Sequence, residues 1–221
     1  MKVIKYYVIL VLMFIGYIPV SAQVYNGLSE SVNEQIADAA RQQVAQFTDC
    51  LSFIVDKEQK PENRDGFRED ALKLFIGQGK AYYDNVLDKE GNVIDKRPHE
   101  PVTMEVTSLR NPTPTKKPMA VYLSNLVYLA NKKTYRSVSI TSTQWHDMKV
   151  SQIRKIGNDQ YVCVVYFEQV FESRGAELKI IYTDKTTKRV TVHIKILHTD
   201  YGDEFVILLG DIQAIETKKN V

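Results

Sequence analysis

Between Ser29 and Val55 the apolar residues fall at Val32, Ile36, Ala40, Val44, Phe47, Leu51 and Ile54, in steps of three and four. That period puts them on one stripe of a helix, and Ser31 with Glu34 has the spacing of a capping box at its start. A second helix is predicted after Lys60-Pro61-Glu62-Asn63, carrying Phe67, Ala71, Leu74 and Phe75 on one side. Helical spacing returns at Met119, Leu123, Leu126, Val127 and Ala130, predicting a third helix over 119–131. The stretch between, 77–118, reads as irregular. In it "DKEGN" (88–92) is a turn, 104–109 a short strand, and the three prolines of "NPTPTKKP" (111–118) argue against regular structure.

After Tyr135 the period changes to two and the composition shifts toward Val, Ile, Thr and Tyr, which suit a pleated, half-buried surface. Strands are predicted near 135–141, 144–156, 160–172, 177–183, 188–199 and 204–216, with hairpin turns at "GND" (157–159), "DKTTK" (184–188) and "DYGD" (200–203). Gly157 and Gly202 are the residues able to take a positive φ there. Helices first and a tight meander afterwards predict an α+β domain, N-terminal helices packed on one face of a curved, cone-like antiparallel sheet. The single domain is expected over 29–216, after an extension at 23–28 and before a tail at 217–221.

The first 22 residues change the picture of where the protein works. Lys2 and Lys5 precede an apolar run from Tyr6 to Ile15, and Val20-Ser21-Ala22 supplies small residues at a cleavage point. That is the pattern of a secretory signal peptide, and its apolar run is short of the about 20 residues a spanning helix needs. Export to the periplasm or the extracellular space is therefore expected, with no integral membrane segment after cleavage. Of the 29 Lys and Arg residues, two leave with the leader, so 27 remain against 27 acidic ones. A formally neutral chain whose densest basic run is Lys185 to Arg189 offers no phosphate-tracking patch, so nucleic acid is not an expected partner. Cys50 and Cys163 leave two readings open, one disulfide joining the first helix to a strand or two buried, unpaired thiols.

The polar residues give few convergent sets. Along Val190, Val192, Ile194 and Ile196 one strand face is core, so His193 points to the opposite side and His198 falls on the core row only at its end. Residues five apart on a strand face opposite ways, which keeps the two histidines from sharing a metal. The same alternation separates His146 from Asp147, and His99 stands alone in a proline-flanked loop. No HxH, HExxH, EF-hand, GxSxG or Walker-type spacing occurs, so no metal and no cofactor is expected. Asp200 and Asp203 read as turn residues bonding to nearby amides. Asp211 follows Gly210 in an apolar strand and shares the face of Phe205, Ile207 and Leu209 unless a bulge reverses the register, or else the sheltered part of the strand ends at Gly210 and Asp211 meets water, the reading favoured here. Glu168 lies mid-strand beside Tyr166; an acid buried on such a face would be a base with a raised pKa, and one paired to Lys or Arg would be structural. Trp145 and Tyr122 either line a pocket or fill the core.

The order helix, helix, short strand, helix, long strands, with segments such as "YLSNLVYL" and "HTDYGDEFVILLGDIQAIE", resembles the nuclear transport factor 2-like, or cystatin-like, superfamily over residues 29–216. The resemblance implies a sheet wrapped around a helix into a cone. It also implies two functional classes: enzymes of isomerase or dehydratase type, and members that only bind or scaffold. For the first, Glu168 or Asp211 would be the base and Tyr166 the oxyanion donor. For the second, which the absence of a convergent catalytic set favours, Tyr122, Trp145, Tyr166, Glu168 and Asp211 are the candidate ligand-binding residues of a non-enzymatic module for a protein, peptide or small apolar ligand. Homodimerisation through the outer sheet face is a further expectation, since the strand from Tyr161 to Phe171 is apolar on both faces. Helices on one side and a covering loop on the other would produce the same pattern.

Overall fold

The computed structural model describes residues 26–88, 90 and 92–220. The expected leader lies outside them. Helix α1, Glu30–Val55, buries Ile36, Ala40, Val44, Phe47, Leu51 and Ile54, the stripe expected from the spacing. Its cap is Ser29 rather than the Ser31 and Glu34 pair: the Ser29 hydroxyl accepts from the Val32 amide at 3.3 Å. Helix α2, Pro61–Lys73, opens on a proline whose missing N–H would have had no helical partner. Its buried Arg64 donates to the Gln59 carbonyl and to the Asn131 side chain, tying the start of α2 to the end of helix α3, Met119–Asn131. Phe47 of α1 meets Phe75 edge-on, ring centroids 5.0 Å apart. Among the described residues no helix is long and apolar enough to cross a membrane.

Among the described residues there are ten strands. β1 (Tyr82–Leu87) and β2 (Val93–His99) form a separate two-stranded antiparallel sheet, and the expected turn over 88–92 lies partly outside the described residues. β3 (Thr103–Val106), β4 (Thr115–Pro118), β5 (Ser137–Ser142), β8 (Gln160–Arg174), β9 (Ile180–Thr199) and β10 (Gly202–Lys218) make the main sheet in the order β4-β3-β10-β9-β8-β5, with the short β6 (Lys149–Val150) and β7 (Arg154–Gly157) also pairing with β8. The architecture of the described residues is α+β, three helices on a large curved sheet in one domain. That sheet is mixed rather than wholly antiparallel, because β3 runs parallel to β10 at Met104 and Ile212.

Four local expectations are corrected. The "NPTPTKKP" segment ends in β4: Pro112 and Pro114 precede the strand, and Pro118 closes it on the outermost position of the sheet, where a missing N–H breaks no inner ladder. Residues 144–156 are not one strand: a 3-10 turn at Trp145–Asp147 interrupts them. "DKTTK" is not a turn, for residues 184–188 lie inside β9, paired on one side with β8 and on the other with β10. β10 runs on to Lys218, past the expected boundary at 216, and Thr217 bonds to Thr186 across the sheet.

The β9–β10 turn is made by other groups than expected. Thr199 Oγ1 donates to the Gly202 carbonyl at 2.7 Å and accepts from the Tyr201 amide at 3.3 Å, while Asp203 turns to His198 instead of an amide. At the β7–β8 turn Asp159, not Gly157, takes the positive φ. Gly202 does adopt φ 124°, which a side chain resists. Gly202→Ala is expected to lower unfolding free energy by about 1–2 kcal/mol in a urea titration; an unchanged midpoint would show that the turn relaxes at no cost.

The core lies where α1 crosses the inner sheet face. Val165 and Phe167 of β8, Val190, Val192 and Ile194 of β9, and Leu209 and Ile212 of β10 are all buried there. β10 carries a bulge between Leu209 and Ile212, at Gly210, where an added Cβ would come 3.1 Å from His193 Nε2. The bulge lets Leu209 and Ile212 both face inward while Asp211 turns to solvent.

Candidate functional site

The inner face of β9 changes character along its length. Ile196, Ile194, Val192 and Val190 are buried aliphatic positions, and the same two-residue period continues through Lys188, Thr186 and Asp184, each 5% exposed. Strand β8 changes at the same level. Phe167 pairs with Lys188, Gln169 with Thr186 and Phe171 with Asp184. The aliphatic half of this face is filled by α1. The polar half faces α3 across a cleft of about 450 Å³ walled by Tyr122, Leu126, Leu129, Phe171 and Val106. Aliphatic and aromatic packing therefore fills one half of the sheet's inner face only.

Three polar groups on the cleft floor are incompletely matched. Lys188 Nζ donates to the Glu105 carbonyl at 3.1 Å and touches Met104 Sδ at 3.6 Å, but among the described residues no carboxylate reaches ion-pairing distance of it. Glu105 spends its carboxylate elsewhere, accepting from the Ala214 amide at 3.1 Å and lying 4.0 Å from Lys116. Burial pushes the Lys188 ammonium down to about 8, against a partial restoring effect from Asp184 and Glu105. Asp184 accepts a hydrogen bond from the Tyr182 hydroxyl, and burial raises its pKa despite that bond and the cation of Lys188. Gln169, 6% exposed, has a buried Oε1 with no hydrogen-bond partner. Tyr122 is pushed up to about 12 by burial, so it stays a neutral phenol. Two more cations, Lys117 and Lys132, line the same cleft.

Of the five residues singled out from sequence, only Tyr122 reaches this cleft. Trp145, 40% exposed, stands at a smaller hollow of about 290 Å³ between α1 and β5. Tyr166 and Glu168 share the outer face of β8, where Glu168 pairs with Lys185 of the neighbouring strand at 2.9 Å. Asp211 pegs the start of β3, accepting from the Thr103 amide at 2.7 Å and its hydroxyl at 2.9 Å. The buried position that would make a base of Glu168 or Asp211 is not the one either occupies, since both are exposed.

The histidines are dispersed. His198 lies on the surface between Asp203, 2.6 Å away, and Asp159, 3.5 Å away, and its pKa is raised chiefly by the Asp203 bond. His99 stacks on Tyr82 beside Asp84. His146 and Asp147 are not held apart by strand alternation, because they sit in the 3-10 turn with 3.6 Å between them. Among the described residues no group of three or more His, Cys, Asp or Glu side chains is placed to hold a metal ion. Cys50 and Cys163 are free and buried, and burial first of all pushes their thiols up to about 11 and about 12, which makes them inert toward exchange.

Asp184, Thr186, Lys188 and Gln169 are the site residues that sequence reasoning passed over. The usable signal was slight: "DKTTK" holds two β-branched threonines and neither glycine nor proline, so it lacks the residues that turns favour. Comparison with protein-family models, with curated proteins and with solved structures gives no match.

Proposed function

We propose that the protein is an exported binding domain that receives a small amphipathic anion in the cleft between α3 and the polar half of the sheet. The carrying observation is Lys188: an ammonium with no carboxylate at ion-pairing distance, held on the floor of a cleft with apolar walls. A buried cation without a counter-ion is destabilising unless a ligand supplies one. The unpartnered Gln169 Oε1 adds an acceptor for a ligand hydroxyl or amide, and Lys117 and Lys132 add cations that draw an anion in. A pocket with apolar walls and a few convergent polar groups is the usual form of a small-molecule site. Export is supported by the leader pattern of residues 1–22, and kinship with the nuclear transport factor 2-like superfamily by the order of elements from α1 to β10.

The test is a fluorescence titration with anilinonaphthalene sulfonate and an uncharged anilinonaphthalene of the same shape. The sulfonate is expected to saturate one site and to bind about tenfold more weakly to Lys188→Met, in line with about 1.4 kcal/mol for one lost charge-assisted contact. The uncharged probe is expected to bind both proteins alike. Absence of saturable binding, or equal loss of both probes, would remove the anion-binding reading.

A further inference from the structure

We propose that Lys188 is a covalent anchor as well as a charge, and that its amine condenses reversibly with the carbonyl group of an apolar oxo acid held in the cleft. This rests on the binding reading above and names the ligand's reactive group. Three features of the site carry it.

The first is the contact set of the amine. A neutral Lys188 satisfies the Glu105 carbonyl and the Met104 sulfur with its two N–H groups, leaving its lone pair for the cleft it lines. An ion-paired lysine would have no such freedom. With burial holding the group near 8, free amine at pH 7 is roughly two orders of magnitude more abundant than on a surface lysine.

The second is an acid on the same floor. Imine formation joins nitrogen to the carbonyl carbon, and an N–H proton passes to the oxygen to give a carbinolamine. The carbon–oxygen bond then breaks, the oxygen leaves as water after taking one more proton, and the iminium so formed gives its remaining N–H proton back to the group that supplied it. Overall an amine and a carbonyl become an imine and one water, with no change of oxidation state. Asp184, with its raised pKa, keeps a proton to higher pH than an ordinary carboxyl and can lend it to the leaving water, and Tyr182 donates to the carboxylate that results.

The third is the unpartnered Gln169 Oε1, an acceptor for the carbinolamine hydroxyl. The remaining cations at the cleft, Lys117 and Lys132, suit a carboxylate next to the reacting carbon, and the wall of Leu126, Leu129 and Phe171 suits an apolar tail.

Phenylpyruvate is the probe, trapped with cyanoborohydride at pH 7, and phenyllactate is its non-condensing control. The expected result is one reduced adduct per chain, mapped by peptide mass to Lys188. It should be at least tenfold weaker in Lys188→Arg, which keeps the charge, and unchanged in Lys185→Arg on the outer face. Phenyllactate binding should survive in Lys188→Arg, which separates the amine's chemistry from its charge. If phenyllactate binds the natural protein but no adduct forms at Lys188 above the level of surface lysines, the covalent proposal is overturned and the binding reading stands. If phenyllactate does not bind and no adduct forms, both fall together.

Discussion

Lys188→Met is expected to melt at a higher temperature than the natural protein at pH 7, by roughly 4–8 °C, corresponding to about 2 kcal/mol in a domain of this size. The reasoning is a proton balance. Lys188 has its pKa lowered from 10.5 to about 8 in the folded chain, so the unfolded chain binds its proton more tightly. The penalty is therefore fully present below pH 8, shrinks as pH rises between about 8 and 10.5, and is gone above that window. A methionine of similar reach fills the space without any charge to bury. The difference between the two melting curves should accordingly close as the pH is raised toward 10. A variant that melts lower at pH 7, or a difference that does not change with pH, would mean that the ammonium is compensated in the fold. The case for a ligand counter-ion would go with it.

Phe47→Ala should do the reverse, lowering unfolding free energy by about 3–5 kcal/mol. Phe47 is fully buried on the inner stripe of α1 and meets the equally buried Phe75 edge-on at 5.0 Å, so truncation removes both transfer free energy and an aromatic pair. Because Phe75 also bridges to Leu209, the resulting void would open where both helices and the last strand converge. Urea denaturation measures the loss. A change under about 1 kcal/mol would show that the interior collapses around the void, in conflict with a close-packed core.

The parts of the fold legible in the sequence are those whose burial imposes a period. α1 and α3 announce themselves because one face of each is buried, and β8 to β10 because their inner positions alternate with outer ones. The β1–β2 hairpin was not legible for the opposite reason: nearly every position of β2 is exposed, so no burial pattern marks it. β4 hid among prolines, two just before it and Pro118 at its end, where an outermost strand accepts one. The cleft was missed through a subtler confusion. Inner positions of a strand that face a ligand space are polar, and a polar break between two apolar runs looks like a turn. Lys188 and Asp184 kept the register of Val190 and Ile194 all along, but only the paired neighbours β8 and β10 reveal that the strand never stops. Tyr122 was picked out as an aromatic able to line a pocket; Gln169 had no comparable mark in the sequence.

The parallel contact between β3 and β10 joins residues separated by more than a hundred positions, as the Thr103 to Asp211 hydrogen bond shows with its separation of 108. A nascent chain that has emerged only as far as β9 can pair β3 with β4 but has no β10 to join that pair to the rest of the sheet. Loop closure over such a span is slow compared with helix formation. Docking of the β3–β4 pair on the main sheet thus waits for β10, the last strand among the described residues.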